Sequence, residues 1–241
     1  MPRAQPIVTF TTDFGTADSY VAEMKAAVLR YCPDANLVDV THQIARHDIL
    51  GGSIALERAV AAFGDAVHVA VVDPGVGTRR RLLVVRIGDA KIVCPDNGII
   101  TWAWRRLGGG RAYELRWRPA GKISATFHGR DLMAPAAGRW ARGDSIASIA
   151  RAIDDPILLP IHPAKKLNEA KIIHIDHFGN ATTNVPAELV GNDFLGRTYS
   201  DGKVGQAIQL IGSSGLVEIA VREGSAAAKL KLKVGMKVKV I

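Results

Sequence analysis

The chain reads as an α/β N-terminal domain, a parallel or mostly parallel sheet with helices on both faces, followed by a smaller all-β C-terminal domain. Three observations predict this. Up to residue 72, short apolar strand-like runs alternate with segments of helical period, the β-α-β-α-β order that gives a sheet flanked by helices. Prolines at 156, 160 and 163 then mark an extended connector. Beyond it, short apolar segments separated by glycine turns replace the helical pattern. The expected organisation is an α/β domain over 1–158, a linker over 159–170 and a β domain over 171–241.

In order, residues 7–11 form a β-branched strand, closed by the polar turn Thr12-Asp13-Phe14-Gly15. Residues 20–31 place Val21, Met24, Val28 and Leu29 at helical spacing, with Asp18 or Ser19 at the start and Pro33 as the stop. A strand at 37–40 precedes a helix at 48–63 that ends at Gly64. The run 67–72 has the unbroken apolar character of a buried parallel strand. Residues 82–87 and 91–94 read as two strands joined at Gly88-Asp89, then a short helix at 99–106 and a helix of small residues at 132–140, suited to close packing on the sheet. In the second domain the strands are 172–175, 207–211, 216–221 and 234–240, in a small barrel or sandwich.

With 241 residues, 48% of them hydrophobic, the chain is long enough for one large or two modest cores. No apolar run reaches the length of a membrane span, and the N-terminus lacks the basic-then-apolar design of a secretory signal, so a cytoplasmic location and no membrane partner are expected. Cys32 and Cys94 lie far apart without metal-type spacing, which argues against a disulfide framework or a zinc site. Lysine and arginine total 31 against 23 acids, a net charge of +8. Arg105, Arg106, Arg111, Arg116 and Arg118 interleave with Trp102, Trp104, Tyr113 and Trp117. That pattern can bind single strands, but it also describes a helix end and an edge strand with aromatics inward. No nucleic-acid motif accompanies it, so nucleic acid is not expected as a partner.

Three separated polar clusters follow or flank predicted strands: Asp13, Asp73 with Arg79, Arg80 and Arg81, and His128 with Arg130 and Asp131. Ligands of open α/β sheets bind past the carboxyl ends of the strands, so one crevice is able to hold all three. Asp73 opens a Pro-Gly-Val-Gly turn that lets the backbone approach a ligand closely. A salt-bridged loop joining two strands accounts for Asp73 and its arginines equally well. Together, a carboxylate, a guanidinium and an imidazole are the parts that position and deprotonate a water molecule. His42, His47, His68, His162, His174 and His177 show no paired metal spacing, and no Walker or dinucleotide glycine loop is present.

Six short motifs occur in order: Thr12-Asp13-Phe14-Gly15, Val72-Asp73-Pro74-Gly75-Val76-Gly77-Thr78, Pro95-Asp96-Asn97-Gly98, Phe127-His128-Gly129-Arg130-Asp131, His177-Phe178-Gly179-Asn180 and Ser213-Ser214-Gly215. From residue 8 to about 240 the chain resembles the S-adenosyl-L-methionine hydrolases, also called SAM hydroxide adenosyltransferases, which are related to fluorinases and chlorinases. The resemblance implies a homotrimer whose ligand lies between the first domain of one subunit and the second domain of its neighbour. It implies a catalytic set of Asp73, Arg80 and His128, with Asp13 holding the ribose hydroxyls and Phe178 and Asn180 reading the adenine. Asp176 and Ser213 match positions near the methionine end, and Ser214 stands where the halogenating relatives carry a basic residue.

The implied reaction is S-adenosyl-L-methionine plus water giving adenosine and L-methionine, by in-line attack on the ribose C5′. No metal and no cofactor are expected, because the sulfonium substrate brings its own leaving group. Two alternatives stay open: a halide adenosyltransferase, and a non-catalytic adenosyl-ligand sensor or RNA-binding protein.

Overall fold

The apolar run ending at residue 72 forms strand β3 (Val67–Val71), with all five residues buried. A strand buried on both faces belongs inside a sheet covered by helices. In the computed structural model, which describes residues 5–191 and 196–240, that sheet has seven strands. The others are β1 (Ile7–Thr12), β2 (Asn36–Thr41), β4 (Leu82–Ile87), β5 (Ala90–Pro95), β6 (Arg111–Leu115) and β7 (Ala150–Ile153). Their order is β2-β1-β3-β5-β4-β6-β7. β1 pairs in parallel with β2 and β3, and β3 in parallel with β5. The remaining three pairings are antiparallel, so only β4 and β7 run against the other strands and the sheet is mostly parallel.

Alternation along β3 divides the core. Val67, Val69 and Val71 join Met24 and Val28 of α1 (Tyr20–Leu29) and Ala136 and Trp140 of α4 (Ala134–Arg142). Ala70, with Val72 just beyond the strand, joins Leu56 and Val60 of α2 (Ile49–Phe63) and Ala103 of α3 (Thr101–Arg106) on the opposite face. Asp48 caps α2 by accepting from Gly51 N at 2.9 Å, and Gly64 ends it. The small residues of α4 serve a helix contact as well as the sheet: a Cβ on Gly138 would lie 2.6 Å from the Val28 carbonyl oxygen of α1.

The chain divides into two units, Met1–Ile161 and His162–Ile241. The second carries a four-stranded antiparallel sheet, β10-β11-β9-β8, built from β8 (Ile172–Ile175), β9 (Ala181–Pro186), β10 (Ala207–Ile211) and β11 (Leu216–Val221). Among the described residues this unit has one sheet rather than a barrel or sandwich. β9 escapes the hydrophobic pattern because its interior is polar but satisfied. Thr183 Oγ1 donates to the Val217 carbonyl at 2.8 Å, and Asn184 Oδ1 accepts from Lys171 N at 2.8 Å. The strand expected at 234–240 is instead an irregular segment beside β8, with one isolated bridge, Lys171 to Lys237, and a turn at Gly235 with φ +86°. A further short helix, α5 (Ala226–Lys229), follows β11.

The aromatic and arginine-rich stretch is internally paired. Trp102 is buried in the core, and Trp117 lies edge-on to Tyr31 and beneath the Arg139 guanidinium. Arg106 bonds Glu57, Arg116 bonds Glu114, and Arg118 donates to the carbonyls of Leu115 and Trp117. This matches the helix-end reading of that stretch with its aromatics inward, but the strand that follows is not an edge: β6 lies between β4 and β7, and β7 takes the edge position.

Arg81 performs a structural task. Its Nε donates to Asp96 Oδ2 at 2.7 Å, and its Nη1 and Nη2 reach the Asp155 carboxylate and carbonyl, both at 2.7 Å. Asp96, 1% exposed at its side chain, also accepts from Ile157 N, so this knot ties the edge of β4 to the segment after β7. Removing the guanidinium leaves a buried carboxylate short of its counter-ion. Arg81→Met is expected to lower unfolding free energy by about 2 kcal/mol or more, read from the denaturant midpoint. Exposed Arg79→Ala should change it by less than about 0.5 kcal/mol.

Candidate active site

The strand order places a topological switch between β1 and β3, since the chain leaves β1 for β2 on one side and returns to β3 on the other. Crevices at such points, past the carboxyl ends of the strands, are where open α/β sheets hold ligands. Asp13 follows the end of β1, and Asp73 lies two residues beyond β3; Thr12 and Val71 are register partners, so the two acids emerge side by side. A cavity of about 340 Å³ opens there, lined by Asp13, Phe14, Asp18, Tyr20, Arg46, His47, Val71, Asp73, Val76, Thr126, Phe127, His128 and Gly129.

Arg80 joins two of the clusters. Its Nε donates to both Asp73 carboxylate oxygens, at 2.6 and 2.8 Å, and Nη2 donates to Oδ2. Its Nη1 lies 3.0 Å from His128 Nδ1. A guanidinium only donates, so Nδ1 accepts and the imidazole proton sits on Nε2. The Asp73 and Arg80 side chains are 4% and 10% exposed, which keeps this contact out of bulk water. Burial holds the His128 pKa below its ordinary value, and the Arg80 charge adds to that, with partial opposition from Asp73. The imidazole is therefore neutral at pH 7, the form its bond to Arg80 requires.

Local structure explains why these side chains meet. The turn after Asp73 is tied by Val76 N to the Asp73 carbonyl and by Thr78 N to the Gly75 carbonyl. Gly77, at φ +81°, lets that turn press on the next motif, where a Cβ would stand 2.6 Å from the Ala125 carbonyl oxygen. His128 immediately precedes a widened π-helical turn, Gly129–Met133, that runs into α4. Pro135 has no N–H to offer the Asp131 carbonyl, and α-helical bonding is interrupted at that point. Asp13 is fixed from the other side, where its Oδ2 accepts from His47 N at 2.9 Å. His47 adopts φ +67°, an uncommon conformation for a residue with a side chain.

Arg130 and Asp131, grouped with His128 in the sequence, do not line the cavity. Arg130 bonds Asp131 and reaches Glu23 of α1 at 2.8 Å, stacking over Phe127 with 4.9 Å to the ring centroid. Asp131 also accepts from Ser124 N. The pair anchors the segment from which His128 projects. Of the three consecutive arginines, Arg79 is exposed, Arg81 is held by Asp96 and Asp155, and Arg80 meets Asp73 and His128.

The second-unit residues fall on two turns. Asp176 shapes the first, between β8 and β9: its Oδ1 accepts from Phe178 N and Asn180 N, each at 2.9 Å, and its Oδ2 from the Asn180 amide at 3.1 Å. That leaves Asn180 buried and Phe178 74% exposed at the tip. Ser213 and Ser214 occupy the turn between β10 and β11. In the β9–β11 register Leu216 pairs with Pro186 and Ile219 with Ala181, so the two turns lie at opposite ends of the sheet.

Arg46, His47, Asp18, Tyr20, Thr126 and Phe127 line the cavity without having been singled out from the sequence as site residues. The signal for Arg46 and His47 was their place after β2, a strand ending on the same side of the sheet as β1. Phe14, Tyr20 and Phe127 meet edge-to-face, with centroids 5.3 to 6.0 Å apart, and give the cavity an aromatic wall. Among the described residues, no group of three or more His, Cys, Asp or Glu is placed to hold a metal ion.

Comparison with known proteins agrees with this layout. Residues 8–150 match the SAM hydroxide adenosyltransferase N-terminal domain, and residues 170–239 match the C-terminal domain. The chain is 38% identical over 255 residues to an (R)-S-adenosyl-L-methionine hydrolase of Salinispora arenicola, covering 98% of this chain and 97% of the relative. It is 36% identical to a protein of the same name from Thermus thermophilus, covering 97% and 99%. A crystal structure of an uncharacterized conserved protein from Thermotoga maritima superposes with a TM-score of 0.90 at 30% identity, covering 97% of this chain and all of that one. The chain belongs to the SAM hydroxide adenosyltransferase family.

Proposed function

We propose that this protein is an enzyme that hydrolyses S-adenosyl-L-methionine to adenosine and L-methionine, with Asp73, Arg80 and His128 acting on the water. The observation that carries this reading is the Arg80 guanidinium joined to Asp73 and His128, two residues that line the same cavity as Asp13. The names of its full-length relatives support the substrate and the reaction.

The chemistry follows from charge. A neutral thioether leaves readily from a sulfonium, so the departing group needs no proton. The demand falls on the nucleophile, which must lose a proton, shed its hydration and lie in line with the C5′–S bond. Alignment of that kind is worth about 7 kcal/mol or more. Arg80 supplies a fixed cation that favours hydroxide over water. Asp73 holds that cation in place, and His128, protonated on Nε2, offers a donor to the hydroxide. The reaction releases one proton to solvent. Hydroxide and sulfonium neutralise one another as the bond forms, so an apolar aromatic wall that displaces water from the bound substrate lowers the barrier further. Asp13, one lone pair taken by His47 N, presents the rest of its carboxylate to the ribose hydroxyls.

Phe178 and Asn180 read the adenine, Asp176 sets their turn, and Ser213 and Ser214 serve the amino-acid end. The protein works as a cytoplasmic homotrimer in which one copy's second unit supplies these residues to a ligand held by another copy. The 74% exposure of Phe178, a large apolar ring at a turn tip, supports a partner surface there.

Incubation with S-adenosyl-L-methionine, with and without chloride or fluoride, is expected to give adenosine in every case; a 5′-halo-adenosine as the main product would support halide transfer instead. Asp73→Ala and His128→Ala should each lower turnover by about 100-fold or more while retaining ligand binding; unchanged rates would remove them from the mechanism. Protonated His128 cannot accept from Arg80. Its pKa lies below its ordinary value, so kcat/KM should show an added acid limb as pH drops through that lowered value, on top of the rise with pH that accompanies loss of the water proton to solvent. The acid limb should vanish from the residual activity of His128→Asn.

A further inference from the structure

We propose that Arg46 is the carboxylate-binding residue of this site, reading the α-carboxylate of the methionine tail and so setting specificity for an intact amino-acid group. The inference rests on the hydrolase reading above and extends it to the end of the substrate remote from the reaction.

Arg46 is the one lysine or arginine among the residues lining the cavity. It is exposed, and among the described residues its guanidinium makes neither an ion pair nor a hydrogen bond. Arg80, the nearby alternative, is committed on both sides, to the Asp73 carboxylate and to His128 Nδ1. A carboxylate entering a cavity with an aromatic wall loses hydration and needs a cation in exchange. Arg46 is the group able to supply one without dismantling the reaction centre.

Its position is held by structure. The residue next to it, His47, donates its backbone N–H to Asp13 Oδ2 at 2.9 Å, and Gly15 N donates to the His42 carbonyl at 2.8 Å. These two bonds fasten the loop that carries Arg46 to the loop that carries Asp13. The cost of φ +67° at His47 is what that attachment requires.

The charge balance of the wall agrees. Asp73 is neutralised by Arg80, which leaves the acids Asp13 and Asp18 facing the single cation Arg46. With histidines neutral, the wall carries one net negative charge. S-adenosyl-L-methionine, with a sulfonium, an ammonium and a carboxylate, carries one net positive charge. Without Arg46 the wall would hold two acids and repel the carboxylate it must admit. An arginine also suits the planar geometry of a carboxylate, which it can bind through two parallel N–H bonds.

Decarboxylated S-adenosyl-L-methionine keeps the sulfonium, ribose and adenine and lacks only the carboxylate, so it isolates this contact. The wild type should prefer the carboxylated substrate in kcat/KM, chiefly through KM. Arg46→Ala should cut that preference about ten-fold or more, and Arg46→Lys by a smaller factor. Misfolding lowers both substrates together and leaves the ratio intact. A ratio unchanged in an Arg46→Ala variant that remains active, or, should that variant misfold, a ratio unchanged in Arg46→Lys, overturns the assignment. A wild type that turns over neither substrate removes the hydrolase reading itself and is thereby distinguished from a failure of Arg46.

Discussion

The contact on which the site depends is the Arg80 guanidinium between the Asp73 carboxylate and the His128 ring. Each member constrains the others. Asp73 occupies Nε and Nη2, which turns Nη1 toward His128, and Nη1 in turn compels Nδ1 to accept. From one buried salt bridge come the orientation of the cation and the tautomer of the imidazole, while burial, helped by the Arg80 charge, keeps that imidazole neutral. Burying such a pair is costly unless its hydrogen bonds are complete, and a fold keeps one where a fixed charge is useful.

The rest of the first unit brings these groups together from distant sequence. β1 and β3 run side by side in parallel, so Asp13 and Asp73 emerge together past the carboxyl ends of two central strands. Gly77 allows the turn after Asp73 to reach Ala125, and the π-helical turn before α4 projects His128 back toward Arg80. Arg130, Asp131 and Arg81 serve this arrangement without entering it. Arg130 and Asp131 tie the histidine-bearing segment to α1, while Arg81 and Asp96 fasten the end of β4 to the chain after β7.

Much of this was legible in the sequence because function and fold used strong local signals. The unbroken apolar run of β3, the Asp48 and Gly64 boundaries of α2 and the glycine-rich turn after Asp73 all imposed their structure locally. β9 was missed because its buried threonine and asparagine look like a loop until their hydrogen-bond partners on other segments are known. The irregular segment at 234–240 misled for the opposite reason: its alternating valines imitate a strand, but a turn at Gly235 limits pairing to one bridge. Proximity in sequence also grouped Arg130 and Asp131 with His128, whereas the helical turn sends their side chains elsewhere. Arg46 could not be distinguished from other surface arginines, since its interest lies in what surrounds it and what it does not touch.

The central claim is that one planar cation must engage a carboxylate and an imidazole at once, a geometry that a lysine ammonium cannot reproduce. The most direct test is the single-turnover rate constant for adenosine formation from saturating S-adenosyl-L-methionine by Arg80→Lys. The account predicts a fall of about 100-fold or more with substrate still bound. A rate within two-fold of the wild type would contradict it.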